Sequence, residues 1–327
     1  RKIYTILIIL IMTGFANSQS HWQSQPKISN SDLYRCIFTD SLHGWVIADS
    51  GQIIATTNGG NSWTVQKKQT EITMVDLFFL NSQTGWVVGW LSNFIEFGTY
   101  IFSTTNGGTN WIPYLFPDTT VLVNAIYFHN QNSGFIGCAS APDSKIYRTS
   151  NGGINWQQCY VDSGVVAKFP IRYMKFLNQT TGFASGGYID INGVLWKTTD
   201  GGYNWSAFSV GPEPMNYISI WDSNHIIIAG GDFEYGVTVV SSSNSGGDWY
   251  YDATNIFGIG MSASHRTVNE YWIPTGFSQN LIYTDNNGLK YYAIATPDST
   301  TVNCLVFTDS THGYAVGAGG KFLKYIP

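Results

Sequence analysis

The sequence predicts an all-β chain: a seven-bladed β-propeller of four-stranded antiparallel blades, closed by an N-terminal strand that completes the last blade. Three observations predict it. A turn of the form Ser/Thr-x-Asn/Asp-x-Gly-x-polar-aromatic recurs six times. A second element, Phe-x-Asn/Asp followed by Gly-aromatic, recurs about twenty residues before the turns. Finally, Trp22 stands where a seventh turn should deliver its aromatic residue.

The turn is clearest in Thr56-Thr57-Asn58-Gly59-Gly60-Asn61-Ser62-Trp63. It returns around Asn106 and Trp111, Asn151 and Trp156, and Asp200 and Trp205, then more weakly around Asn244 and Trp249 and before Tyr291. Successive terminal aromatics are 48, 45, 49, 44 and 42 residues apart, the length of a four-stranded blade. The Asn or Asp side chain accepts hydrogen bonds from the amides of its own turn, as in an Asx-turn. The following glycine permits positive φ where the chain reverses. A fully buried Trp would remove about 150–250 Å² from water, at most roughly 4–6 kcal/mol per blade.

The second element reads Phe38-Thr39-Asp40 with Gly44-Trp45, Phe79-Leu80-Asn81 with Gly85-Trp86, and Phe128-His129-Asn130 with Gly134-Phe135. Phe176 with Gly182-Phe183 and Phe307 with Gly313-Tyr314 continue it, while the copies near Trp221 and Trp272 are degenerate. Each copy reads as strand one, a polar hairpin, then strand two. First strands therefore number seven and turns six. Ser20-His21-Trp22-Gln23 resembles Asn61-Ser62-Trp63-Thr64, and Trp22 precedes Trp63 by 41 residues, close to one repeat. The N-terminal strand is expected to pair with the strand ending at Tyr325, so residues 21–327 form one domain.

Residues 1–20 read differently. Arg1 and Lys2 precede the apolar run from Ile3 to Phe15, and small polar residues follow. That is the pattern of a secretory signal peptide, too short for the ~20 apolar residues of a membrane span. Cleavage is expected near Ser18 or Ser20, leaving no stable membrane insertion and a secreted, periplasmic or cell-envelope protein. No cysteine follows the apolar run to carry a lipid anchor. Cys36, Cys138, Cys159 and Cys304 show no framework spacing and are expected to be buried free thiols. Cys36 and Cys304 fall one residue out of register on neighbouring strands, which predicts side chains facing opposite ways.

Composition excludes several functions. Charged residues make up 11% of the 327, aromatics 16%, and the net charge is -5. A disordered chain has few aromatics, and a nucleic-acid binder presents a basic face; the longest basic cluster here is Lys67-Lys68. Six histidines lack ligand spacing, and Asp190-Ile191-Asn192-Gly193 lacks the rest of a calcium loop, so no metal is expected. No phosphate-binding glycine loop, catalytic Ser-His-Asp set or cofactor fingerprint occurs, so no cofactor and no catalytic residue are assigned.

In these turns and Gly-aromatic strands the chain resembles the photosystem II stability and assembly factor-like propellers, within the wider group bearing Asp-box (BNR-type) repeats. The resemblance covers nearly all of residues 21–327. It implies a propeller in which the turns are structural and, in photosynthetic members, binding of a membrane-protein subunit during assembly through a basic surface patch. Here the arginines of residues 21–327 are Arg35, Arg148, Arg172 and Arg266, in no shared repeat position. Asp boxes also occur in sialidases and xyloglucan-cleaving enzymes. The Phe-Arg-Ile-Pro signature of sialidases is absent, and Phe169-Pro170-Ile171-Arg172 reads as the start of a strand.

A glycoside hydrolase needs two carboxylates roughly 5–9.5 Å apart. Glu96, Asp190, Asp232 and Glu234, in connections between strands two and three, are the candidates. The same connections carry exposed-reading aromatics, which makes them the expected ligand face for an unknown protein or glycan. These candidates are Trp90, Phe94, Phe97 and Tyr100 in the longest connection, Tyr188 beside Asp190, and Phe233 with Tyr235. The leading expectation is a binding or assembly scaffold, with a carbohydrate-active enzyme as the alternative.

Overall fold

A computed structural model describes residues 21–92, 97–139, 144–162 and 164–327. The expected signal peptide lies outside the described residues. Seven sheets follow one another around a ring. Blade one runs through Leu33–Phe38, Gly44–Ala48, Gln52–Thr56 and Thr64–Lys68, each strand antiparallel to the last. Blades two to six begin at Ile72–Phe79, Val123–Phe128, Ile171–Phe176, Met215–Asp222 and Ser264–His265 and repeat that order outward.

Blade seven closes the ring. It comprises Val302–Phe307, Gly313–Gly317 and Phe322–Tyr325, and its fourth strand is Trp22–Gln25, paired antiparallel with Trp22 opposite Tyr325. Blade four departs from the expected four strands. Tyr160–Val161 adds a fifth, parallel to Asn204–Gly211, because the fourth strand of blade three stops after Gln157–Gln158 and the chain crosses to its neighbour.

The hydrophobic core lies between blades rather than within one. Each of the seven buried clusters draws its residues from two adjacent blades, including the seam where Leu33, Val46 and Ile54 meet Val316 and Phe322. The two recurring sequence elements meet there. Phe79, at the end of a first strand, pairs in register with Gly85, and a Cβ on Gly85 would fall 2.4 Å from its ring. The missing Cβ lets the ring lie flat across the strand. Trp45 of the preceding blade stacks on that ring at 3.6 Å, and Trp111 of its own blade meets it edge-on at 5.9 Å.

The same arrangement joins Trp86, Phe128 and Trp156, and Phe135, Phe176 and Trp205. Tyr314 stacked on Phe38, with Trp63 edge-on, carries it across the closing seam. Trp22 meets Phe307 edge-on at 5.5 Å and so occupies the place of Trp63 in its own blade. Such pairs add about 0.5–1.5 kcal/mol beyond their buried area.

The turns share one hydrogen-bond scheme. The hydroxyl of Thr56 donates to Asn58 Oδ1 and accepts from the Gly60 amide, while Asn58 Oδ1 also accepts from the Ser62 amide. The copies at Asn106, Asn151, Asp200, Asn244 and Asn286 repeat it. Burial of the terminal ring is less uniform than expected. Trp22 and Trp205 are buried, but Trp63, Trp111, Trp156 and Trp249 are half-buried, because the outermost strand leaves one side of the ring to solvent.

All four cysteines are buried and free. Cys36 and Cys304 do lie on opposite faces of their sheets, but those two faces meet at the closing seam: Cys304 Sγ lies 3.7 Å from the Cys36 carbonyl, and both belong to the seam cluster.

Three outcomes test these contacts. Trp22→Ala should lower stability by about 3–5 kcal/mol in urea denaturation. Deleting residues 21–26 should make the 302–325 strands susceptible to limited proteolysis; a deletion as resistant as the intact chain would show that the seam closes without this strand. Gly85→Ala, with no room beside Phe79, should cost about 1–3 kcal/mol as an overpacked site, whereas Gly98→Ala should cost less because its nearest neighbour is a Leu115 methyl at 3.2 Å.

Candidate functional site

The antiparallel order gives the ring two unlike faces. Turns between strands one and two and between strands three and four lie on one face. Connections between strands two and three, and the links between blades, lie on the other. On this link face the central channel opens into a cavity of about 490 Å³.

A repeated backbone irregularity builds the cavity wall. In six blades the innermost strand slips register by one residue near its start, at Tyr34, Val75, Asn124, Arg172, Asn216 and Asn303. A bulge re-aims the extra side chain out of the alternation, and all six line the cavity. Met261 takes the seventh place: Ser262 Oγ accepts the Leu305 amide just as Asp76 Oδ2 accepts the Ile126 amide, so the two blades correspond residue for residue.

Several bulge side chains also bind the next blade. Asn124 donates to the Ile171 carbonyl at 3.2 Å, Asn216 to the Gly260 carbonyl at 3.1 Å, and Asn303 to the Leu33 carbonyl at 2.9 Å. Arg172 donates to Asn216 Oδ1 at 3.0 Å. Below them lies a floor. Tyr173 and Tyr217 stack at 3.9 Å, the Arg35 guanidinium lies 5.4 and 5.1 Å from their rings, and Arg35 Nε is 4.0 Å from Asp76. Burial pushes the Asp76 carboxyl up to about 6 against the opposing pull of Arg35 and two backbone amides.

The ligand-face residues named from sequence divide into three groups. Phe94 and Glu96 lie outside the described residues. Trp90 donates its indole N–H to the Val123 carbonyl at 2.6 Å, Tyr100 stacks on Phe102, and Tyr188 meets Phe169 edge-on. These three are half-buried, whereas Phe97 is exposed. The third group comes together from different blades. Asp190, Asp232 and Glu234 each place a carboxylate oxygen within 4.8 Å of the others. Asp190 and Glu234 are exposed; Asp232 is buried and caps its own turn, accepting the Glu234 and Tyr235 amides.

Sequence reasoning missed Glu213, which joins this acidic group. It is buried, accepts the Asp190 amide, and has its pKa raised by burial and then by Asp232 and Asp190. It also missed Phe257 and Phe277. Phe233, 62% exposed, stacks on Phe277 at 4.6 Å, and Phe257, 59% exposed, meets Phe277 edge-on. Tyr235 stands exposed beside Phe233 in the chain. Arg172, read as part of a strand start, does begin a strand but also lines the cavity together with Arg35. The signal for it was present as one polar or bulky residue at the same offset before each terminal Phe, visible only once the bulge is known.

The fold is shared with proteins of several functions. The chain is similar to a structure of YCF48 bound to D1 peptide, at 18% identity over 94% of this chain and 97% of that one, with a TM-score of 0.72. It is similar to the GH74 xyloglucanase from Xanthomonas campestris at 12% identity over 93% of this chain and 53% of that one, TM-score 0.69. It also resembles virginiamycin B lyase from Staphylococcus aureus, at 10% identity over 93% and 98%, TM-score 0.71. No protein-family profile and no curated sequence matches the chain. The resemblance to assembly-factor propellers therefore holds in architecture.

The floor of the cavity makes a pH prediction. An unfolded Asp titrates near about 3.9, so between about pH 4 and 6 folded Asp76 keeps a proton that the unfolded chain has lost. Its contribution to stability falls as pH rises through that window. Arg35→Met should extend the loss to higher pH and cost about 3–5 kcal/mol near neutrality. Arg35→Met with Asp76→Asn should recover part of that loss and flatten the slope. Urea melts at acid and neutral pH measure both; an Arg35→Met loss equal at all pH values would remove the ion pair from this account.

Proposed function

We propose that this propeller is a non-enzymatic binding scaffold, exported to the cell envelope or beyond, that holds a protein partner against its link face during assembly of a larger complex. The observation that carries this reading is the exposed aromatic group Phe233, Phe257 and Phe277, whose Phe257 lies two residues along the chain from Ile259 in the cavity wall. Aromatic side chains beside a concave, partly polar site are the composition of an interface centre. The apolar run after Arg1-Lys2 supports export. Among the described residues no helix is long and apolar enough to cross a membrane. The similar fold of YCF48 bound to D1 peptide supports this reading.

A second reading, a carbohydrate-active enzyme, draws on the convergent carboxylates of Asp190, Asp232 and Glu234 and on the xyloglucanase likeness. Asp232 is committed to its turn, which leaves Asp190 and Glu234 as the exposed carboxylates of this group.

Replacing Phe233, Phe257 and Phe277 together by Ser should leave the melting temperature nearly unchanged, since all three are exposed. It should reduce capture of a specific partner from native envelope extract by tenfold or more, identified by mass spectrometry. Unchanged capture would overturn the reading. Release of product from a polysaccharide panel, abolished by Asp190→Asn with Glu234→Gln, would establish the second one instead.

A further inference from the structure

The cavity at the channel mouth holds a cation that no carboxylate among the described residues neutralises. Arg172 stands at a bulge, half-buried, and spends one N–H on Asn216 Oδ1. A guanidinium carries five N–H donors. Among the described residues no carboxylate pairs with it, and burial alone acts on it, pulling its pKa down. Arg35, the other arginine of the cavity, differs in kind: Asp76 and two tyrosine rings hold it in the floor. The cavity therefore keeps one open guanidinium.

Its surroundings make this a built site rather than a stray surface charge. Asn216, which orients Arg172, is itself buried and anchored to the Gly260 carbonyl, so the guanidinium is held in place before any ligand arrives. Val75, Ile259 and Met261, all half-buried, line the remaining wall with apolar surface. The volume, about 490 Å³, lies within the ~300–1,000 Å³ range of small-molecule sites. An arginine fork in a partly desolvated pocket matches a carboxylate, whose two oxygens accept two parallel N–H bonds.

We propose that the channel-mouth cavity is a binding site for a carboxylate borne on an apolar group, recognised through Arg172 with Val75, Ile259 and Met261 around the apolar portion. This goes beyond the scaffold reading and does not need it, since a free acid could occupy the cavity whether or not a protein docks on the rim. The carboxylate could belong to a small free acid or to the end of a peptide with an apolar last residue, and the two are distinguished by experiment.

The test is titration calorimetry on the purified chain with four probes: 3-phenylpropionate, its primary amide, a tetrapeptide ending in Leu, and the same peptide amidated. The expected result is binding of at least one acid with an affinity at least tenfold above that of its amide. Arg172→Met should abolish that preference at an unchanged melting temperature. Arg172→Lys should keep part of it, because the charge remains while the two-pronged geometry is lost. Binding of the free acid alone assigns a small-molecule site, and binding of the peptide alone assigns a chain terminus. No binding by either acid, equal binding of acid and amide, or acid binding unaffected by Arg172→Met would each overturn the proposal. Should Arg172→Met lower the melting temperature by weakening the tie to Asn216, Arg172→Gln, which keeps a donor to Asn216 Oδ1, replaces it. Loss of partner capture in the Phe→Ser variant with intact acid binding would separate the two readings.

Discussion

The whole ring depends on an aromatic ring lying flat over a glycine. Phe38, Phe79, Phe128, Phe176 and Phe307 each sit across from a glycine whose Cβ would fall within 2.6 Å of them. That vacancy opens the flat face of the Phe to the blade before it. The stacks Trp45–Phe79, Trp86–Phe128 and Tyr314–Phe38, at 3.6–3.7 Å, are the result. Since every buried cluster spans two blades, no blade has a core of its own. Five of the seven blades repeat this one contact.

The indole and phenol groups add direction to these stacks. Trp45 and Trp86 donate to the Gly107 and Gly152 carbonyls in turns of the next blade, and Tyr314 donates to the Ser41 carbonyl across the seam. The turn is thus fixed from two sides, by its own Thr or Ser hydroxyl and by the neighbouring blade. The turns at Asn244 and Asn286 keep the same hydrogen bonds because they retain the Ser or Thr hydroxyl and the Asn side-chain oxygen that make them.

A second repeated irregularity serves the opposite end of the same strands. The bulge near the start of the innermost strand takes one side chain per blade out of the strand's alternation and turns it toward the channel mouth. Three of these are asparagines whose amides bridge to the next blade, so the lining of the cavity is also part of the ring. The link face consequently carries charges of both signs on an acidic chain: the open guanidinium of Arg172 in the mouth, and the carboxylates of Asp190, Glu213, Asp232 and Glu234 on blades four and five.

The sequence by itself determined the blade number, the strand order and the closing partner of Trp22. These follow from local patterns whose physical cause is also local: a hydroxyl and an amide within one turn, or a glycine six residues from its Phe. Tertiary structure alone decided the site. Asp190 and Asp232 are 42 residues apart, and they meet only because adjacent blades turn their two-three connections to the same face. Arg172 looked like an unremarkable strand start, since a bulge is invisible in a pattern of period two and its consequence, one residue per blade at a common axis, exists only in the closed ring. The extra strand Tyr160–Val161 and the approach of Cys304 to Cys36 were hidden because each is a contact between adjacent blades. Repetition made the framework legible, and the side chains that break the repetition at the channel mouth acquired their meaning from the closure.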